Sequence, residues 1–240
     1  MQKNKIQTLP IILIILVIVL IISGFFVFKN YNKKERNQVN DAHISYIPFG
    51  DSFTIGLGVP ESHRLPNLMV EHFAKEGINI GILENPAVSG YTVDDVIQFE
   101  LPVLETLKPD FVTVFIGTND SFSRTDVKLF ESDYKKLLDK LQKLLVNPKK
   151  IVLITIPDYS QFPGLKQYKN NNLPHLISSY NEIIKQESIK RDLFLADIYP
   201  VSQTMTEEKD FISDGIHPSK AGYMKWEKVI YPKVKKLLLN

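Results

Sequence analysis

The chain has 240 residues, with 29 Lys and Arg against 27 Asp and Glu, and no cysteine. Without cysteine no lipid-modified cysteine can hold the chain to a membrane, and the absence fits either side of one. Six of the basic residues and one Glu fall within residues 1–36, so the remainder carries a net charge of −3 and has no basic excess to offer a nucleic acid.

Residues 9–28, LPIILIILVIVLIISGFFVF, contain no charge. Twenty residues at about 1.5 Å each reach about 30 Å, the hydrocarbon thickness of a bilayer. A cleaved signal peptide has an apolar stretch of about 7–15 residues that ends in a small-residue site. Here Ser23-Gly24 is the only small pair, and four more apolar residues follow it. Residues 1–28 are therefore expected to form an uncleaved, single-pass transmembrane anchor. Lys3 and Lys5 precede the segment, while Lys29, Lys33, Lys34 and Arg36 follow it. Charge counting alone puts the following chain in the cytoplasm. The short N-terminal tail instead has the form of a signal-anchor, and the expectation adopted is a membrane-anchored protein with its main domain outside the cell. Residues 29–43 lack apolar periodicity and read as a polar linker. Residues 44–240 are long enough to bury one full core.

Along that domain, apolar runs alternate with amphipathic stretches. Ile44 to Phe49 reads as a first strand, with Pro48 expected to fray or bulge its end. Residues 65–76 read as a helix with Leu68, Val70, Phe73 and Ala74 available to the core, and 78–83 as a strand. Thr92 is suited to cap a helix over 92–107. The runs 111–116 and 151–156 are nearly continuous in β-branched and aromatic residues, as in strands buried on both faces. Between them, 131–146 places Tyr134, Leu137, Leu138, Leu141, Leu144 and Leu145 at helical spacing. Residues 159–173 read as a long loop, 174–190 as a helix and 193–195 as a short fifth strand. A last helix starts near Pro218, carries Trp226 as a core anchor and is expected to kink or end at Pro232. The alternation implies a three-layer α/β/α fold with a mostly parallel five-stranded sheet.

Ligands of such folds sit beyond the carboxyl ends of the strands. The first three strands are followed there by Gly50-Asp51-Ser52, by Ser89-Gly90 and by Gly117-Thr118-Asn119-Asp120, and Asp214-Gly215-Ile216-His217-Pro218 comes near the end of the chain. Together they supply the parts that acyl transfer needs. Ser52 is the candidate nucleophile, weak until a base takes its proton. His217 is the candidate base. Asp214, three residues earlier, can fix its tautomer and stabilise the imidazolium. The Ser52 and Gly90 backbone N–H groups and the Asn119 side-chain amide can hold an oxyanion. Asp51 and Asp120 are read as loop braces, and His43, His63, His72 and His175 as solvated or packed, without metal-ligand spacing.

These four blocks, in this order, resemble those of the SGNH, or GDSL-type, esterase/lipase family, and Ser219-Lys220-Ala221-Gly222-Tyr223 looks like the extension of the family's last block. The resemblance covers about residues 44–238. It implies a flavodoxin-like sandwich, Ser52, Asp214 and His217 as the triad, Gly90 and Asn119 as oxyanion donors, and neither metal nor organic cofactor. Phe53 stands where the family's name has leucine. The implied activity is hydrolysis of carboxylic esters, whether lipid, thioester or O-acetyl substrates. An acyltransferase acting on a sugar or other surface acceptor, and a non-catalytic binding domain, are the alternatives. A G-x-S-x-G elbow is absent, which argues against the α/β-hydrolase fold.

Overall fold

The computed structural model describes residues 43–123, 126–166 and 172–239. The expected anchor and all but the last residue of the linker lie outside the described residues. Among those described, no helix is long and apolar enough to cross a membrane.

Five strands form one parallel sheet: β1 (Ile44–Gly50), β2 (Ile80–Ile82), β3 (Phe111–Phe115), β4 (Ile151–Ile154) and β5 (Phe194–Ala196), in the order β2-β1-β3-β4-β5. This is the doubly wound 2-1-3-4-5 order, with its switch point between β1 and β3. One face is covered by α2 (Leu65–Lys75) and α8 (Lys220–Leu239), the latter preceded by the short α7 (Tyr199–Ser202). The other is covered by the segment 92–105, α5 (Val127–Leu144) and α6 (Leu173–Arg191). The apolar runs of β3 and β4 are buried throughout, as strands between two helix layers must be.

Several elements depart from the sequence reading for identifiable reasons. Pro48 stays in register opposite Thr113 with no bulge. Tyr46 accepts from Leu83 on the β2 side, so Pro48, two residues on, faces the same side beyond the end of β2 and interrupts no ladder. In α2 the buried set is Leu65, Pro66, Leu68, Met69 and Phe73, while Ala74 is exposed. α5 begins four residues earlier than expected because Asp126 accepts from Lys128 and Leu129 N–H and caps it. α8 runs through Pro232 to Leu239. Pro232 and Lys228 are both exposed, so water can satisfy the carbonyl that proline leaves unpaired.

The segment after Thr92 is not one regular helix. Thr92 forms a reciprocal capping box with Asp95 ahead of α3 (Val93–Asp95). Residues Val96–Glu100 then wind as a single π-turn, and Leu101–Glu105 as 3₁₀ turns. Pro102 explains the irregularity, since it has no N–H and its ring crowds the carbonyl four residues back. On the opposite face, Trp226 is fully buried and meets Phe53 edge-on at 5.3 Å and Phe115 at 5.6 Å between ring centroids. It anchors the core directly beneath the end of β1.

Candidate active site

β1 turns into α1 (Ser52–Ile55) at Gly50. A Cβ on Gly50 would lie 2.3 Å from the Phe115 carbonyl oxygen and 2.2 Å from Thr54 Oγ1. Only glycine lets the chain pass that close to the end of β3. Asp51 then caps α1, its Oδ1 accepting the Phe53 N–H at 3.0 Å. Ser52 is the first residue of this helix, so its own N–H has no intrahelical acceptor.

The oxyanion candidates assemble beside it. β3 leads through Gly117 into α4 (Thr118–Ser123), which carries Asn119. Asn119 Nδ2 donates to the Tyr91 carbonyl at 2.9 Å and, more weakly, to Asp51 Oδ2 at 3.4 Å. The first bond ties Asn119 to the residue after Gly90. Gly90 has φ +90°, and a Cβ there would meet nothing, so its conformation rather than crowding calls for glycine. Asp120 accepts the Val93 N–H at 3.1 Å and so holds the start of α3.

The last block is a tight turn. The Ile212 N–H donates to the His217 carbonyl at 2.9 Å, the Gly215 N–H to Ile212 at 3.0 Å, and the Gly164 N–H to Gly215 at 2.9 Å. Within it, Asp214 Oδ1 accepts the backbone N–H groups of Ile216 (2.8 Å) and His217 (2.9 Å). Asp214 Oδ2 lies 2.6 Å from His217 Nδ1, and His217 Nε2 lies 3.0 Å from Ser52 Oγ. A carboxylate only accepts, so Nδ1 carries the hydrogen and Nε2 is left to accept from the serine hydroxyl. Phe53 packs against the imidazole, ring centroids 5.6 Å apart. A groove of about 540 Å³ adjoins Asp214, lined by Pro163, Gly164, Phe211 and Ile212 among others.

Electrostatics separate the carboxyl groups. Partial burial works against ionisation of Asp214, but hydrogen bonds from the His217 ring and the two backbone N–H groups outweigh it and hold the carboxyl below the usual range. Asp51 is fully buried, and desolvation with the nearby Asp120 charge pushes it up to about 7. Glu100 is also fully buried and, by desolvation, pushed up to about 8.

All five candidate residues of the sequence reading, Ser52, Gly90, Asn119, Asp214 and His217, are thus on one edge of the sheet. Asp51 and Asp120 brace loops as expected, and Trp226 is core. His72 packs on the Tyr231 ring at 3.8 Å and bonds to Glu227 at 2.7 Å. Among the described residues no group of three His, Asp or Glu is placed to hold a metal ion. Sequence reasoning missed Glu100, whose Oε2 accepts the Gly50 N–H at 3.0 Å. Its signal was legible: an acid falls at a core position of the series Val96, Ile97, Glu100, Leu101, Leu104.

The family model of GDSL-like lipases and acylhydrolases matches residues 49–225. A multidomain esterase of Ruminococcus flavefaciens is 33% identical, over 77% of this chain but only 28% of that protein's length. An arylesterase of Vibrio mimicus is 20% identical, covering 76% of this chain and 84% of the relative. Among solved structures, TesA matches with a TM-score of 0.66 at 21% identity, over 80% of this chain and 99% of that one. A lipase/acylhydrolase from Enterococcus faecalis matches at 0.64 and 23% identity, over 80% and 96%. At these identities the structural matches speak for the fold.

Proposed function

The chain belongs to the GDSL-like lipase/acylhydrolase family, and from that premise we propose that it is a serine hydrolase of carboxylic esters working through an acyl-enzyme on Ser52. The observation that carries this reading is the unbroken hydrogen-bond line from Asp214 through His217 to Ser52, at 2.6 and 3.0 Å.

His217 Nε2 takes the Ser52 proton as Oγ attacks the ester carbonyl carbon. The carbonyl π electrons move onto oxygen, and that oxyanion is met by the N–H groups of Ser52 and Gly90 and by Asn119 Nδ2. The Asn119 contact to Asp51 is longer than that to Tyr91, and the hydrogen making it is the one an oxyanion draws away. The imidazolium, steadied by the Asp214 carboxylate, then protonates the leaving alkoxide as the C–O bond breaks. A water, deprotonated by His217, attacks the acyl-Ser52 ester, and collapse of the second tetrahedral intermediate releases the acid and restores the serine proton. No step uses a metal or an organic cofactor.

Lipid-derived esters, thioesters and O-acetyl groups on surface glycans are the substrate classes proposed. Residues 9–28 as an anchor put the domain at a membrane surface, on the extracytoplasmic side. The test is hydrolysis of p-nitrophenyl acetate and butyrate by the purified protein. Ser52→Ala is expected to remove nearly all of it, and equal rates in parent and variant would end the assignment.

A further inference from the structure

The nucleophile turn, the Gly90 loop and the Asn119 loop come from separate strands, and each is tied to the segment 92–105. Gly90 lies two residues before its capping Thr92, Tyr91 accepts from Asn119 at 2.9 Å and Val93 donates to Asp120 at 3.1 Å. The remaining tie is Glu100, whose Oε2 accepts the Gly50 N–H at 3.0 Å, two residues before Ser52. The π-turn over Val96–Glu100 and the 3₁₀ turns that follow it keep Glu100 on the buried side of this segment.

We propose that Glu100 is a positioning residue for Ser52: through the Gly50 N–H it fixes the Gly50-Asp51-Ser52 turn against the segment that carries the Gly90 oxyanion loop. The proposal rests on the acyl-enzyme reading given above. Glu100 is fully buried and its second oxygen, Oε1, has no hydrogen-bond partner among the described residues. An unpaired neutral oxygen is tolerable in such a place, whereas an unpaired charge is not. Burial dominates and opposes its ionisation; the Gly50 N–H bond favours the charged form, but the carboxylates of Asp51, on the nucleophile turn, and Asp95, on its own segment, oppose it, and the net displacement is upward. Asp120 lies further along the same chain of acids, acting on Asp51. Of the lysines that touch this segment, Lys136 of α5 pairs with Asp94 at 3.8 Å and Lys108 donates to the Leu104 carbonyl. When Glu100 loses its proton, two buried like charges face each other across Gly50. The turn, held on its other side by the Asp51 cap and the long Asn119 contact to Asp51, is then driven from the position that aligns Oγ with His217.

The experiment compares kcat and KM for p-nitrophenyl acetate from pH 6 to 10 in the parent, Glu100→Gln and Glu100→Ala, corrected for spontaneous hydrolysis. The parent is expected to lose activity on the alkaline side with a midpoint near pH 8. Glu100→Gln keeps an acceptor for the Gly50 N–H and cannot ionise. Its kcat at pH 7 is expected within about threefold of the parent, with no alkaline loss up to pH 10. Glu100→Ala is expected to lower kcat about tenfold or more at pH 7, with KM changed less than about twofold. An alkaline loss that persists in Glu100→Gln belongs to another group, such as Asp51, and overturns the proposal. So does a flat alkaline profile in the parent. Should Glu100→Ala fail to fold, the Gln profile still decides. Ser52→Ala run alongside separates the two levels: if it hydrolyses as fast as the parent, the acyl-enzyme reading fails, whatever Glu100 does.

Discussion

Asp214→Asn changes one atom in the hydrogen-bond line and has a consequence that can be worked from the turn's geometry. The carbonyl oxygen of the new amide would keep both backbone donors, Ile216 and His217 N–H. The amide NH₂ would then face His217 Nδ1, so the ring must accept there and carry its hydrogen on Nε2, pointing at Ser52. The serine proton then has nowhere to go. Flipping the amide to restore the correct tautomer would aim two N–H donors at two backbone donors and forfeit both bonds, about 1 kcal/mol each with a further desolvation term. The wrong tautomer is therefore favoured by about 2–3 kcal/mol. Loss of the negative charge beside the imidazolium adds about 1–2 kcal/mol, a figure kept low because the Asp214 side chain is 37% exposed and water screens it. At 1.36 kcal/mol per tenfold, the expected fall in kcat is about 10³-fold, with little change in KM. The assay is steady-state hydrolysis of p-nitrophenyl butyrate at pH 7–8, with the unfolding midpoint measured in parallel. A well-folded Asp214→Asn within tenfold of the parent would refute the tautomer argument and leave Asp214 a mere turn former.

Two further outcomes test the surroundings of the serine. Asn119→Ala removes the bond to Tyr91 and one oxyanion donor together, and is expected to lower kcat about 10²–10³-fold while substrate binding stays near normal; an unchanged kcat would take Asn119 out of the oxyanion site. Asp51 and Glu100 carry folded-state values raised to about 7 and about 8, above their ordinary 3.8 and 4.5. The folded chain thus keeps protons that the unfolded chain releases, so these two groups contribute stability at low pH that declines as pH rises from about 4 through 8. Urea midpoints are expected to fall across pH 6–8 and to fall less in Glu100→Gln, and identical slopes in the two proteins would contradict the buried-acid assignment.

Much of this site could be read before any coordinates. Strand ends are legible because buried parallel strands are nearly pure runs of β-branched and aromatic residues, so Gly50, Gly117 and the residues after them had to sit on one edge. The pair Asp214 and His217 needed only local spacing. What stayed hidden depended on packing between distant segments. Nothing in the residues around Pro102 announces a π-turn, and only the fold brings Glu100 beneath Gly50. Pro48 looked disruptive because the length of β2 was not yet known. Pro232 looked like a stop because the exposure of Lys228 was not. Asn119 is legible as a donor but its partner is not, since the Tyr91 carbonyl comes within reach only in the folded chain.

The most direct test is to treat the protein with a fluorophosphonate and map the adduct by peptide mass spectrometry. Phosphonylation of Ser52 alone, lost in His217→Ala, is the predicted result. A phosphonyl group on any other serine, or undiminished labelling of Ser52 when the imidazole is gone, would contradict it.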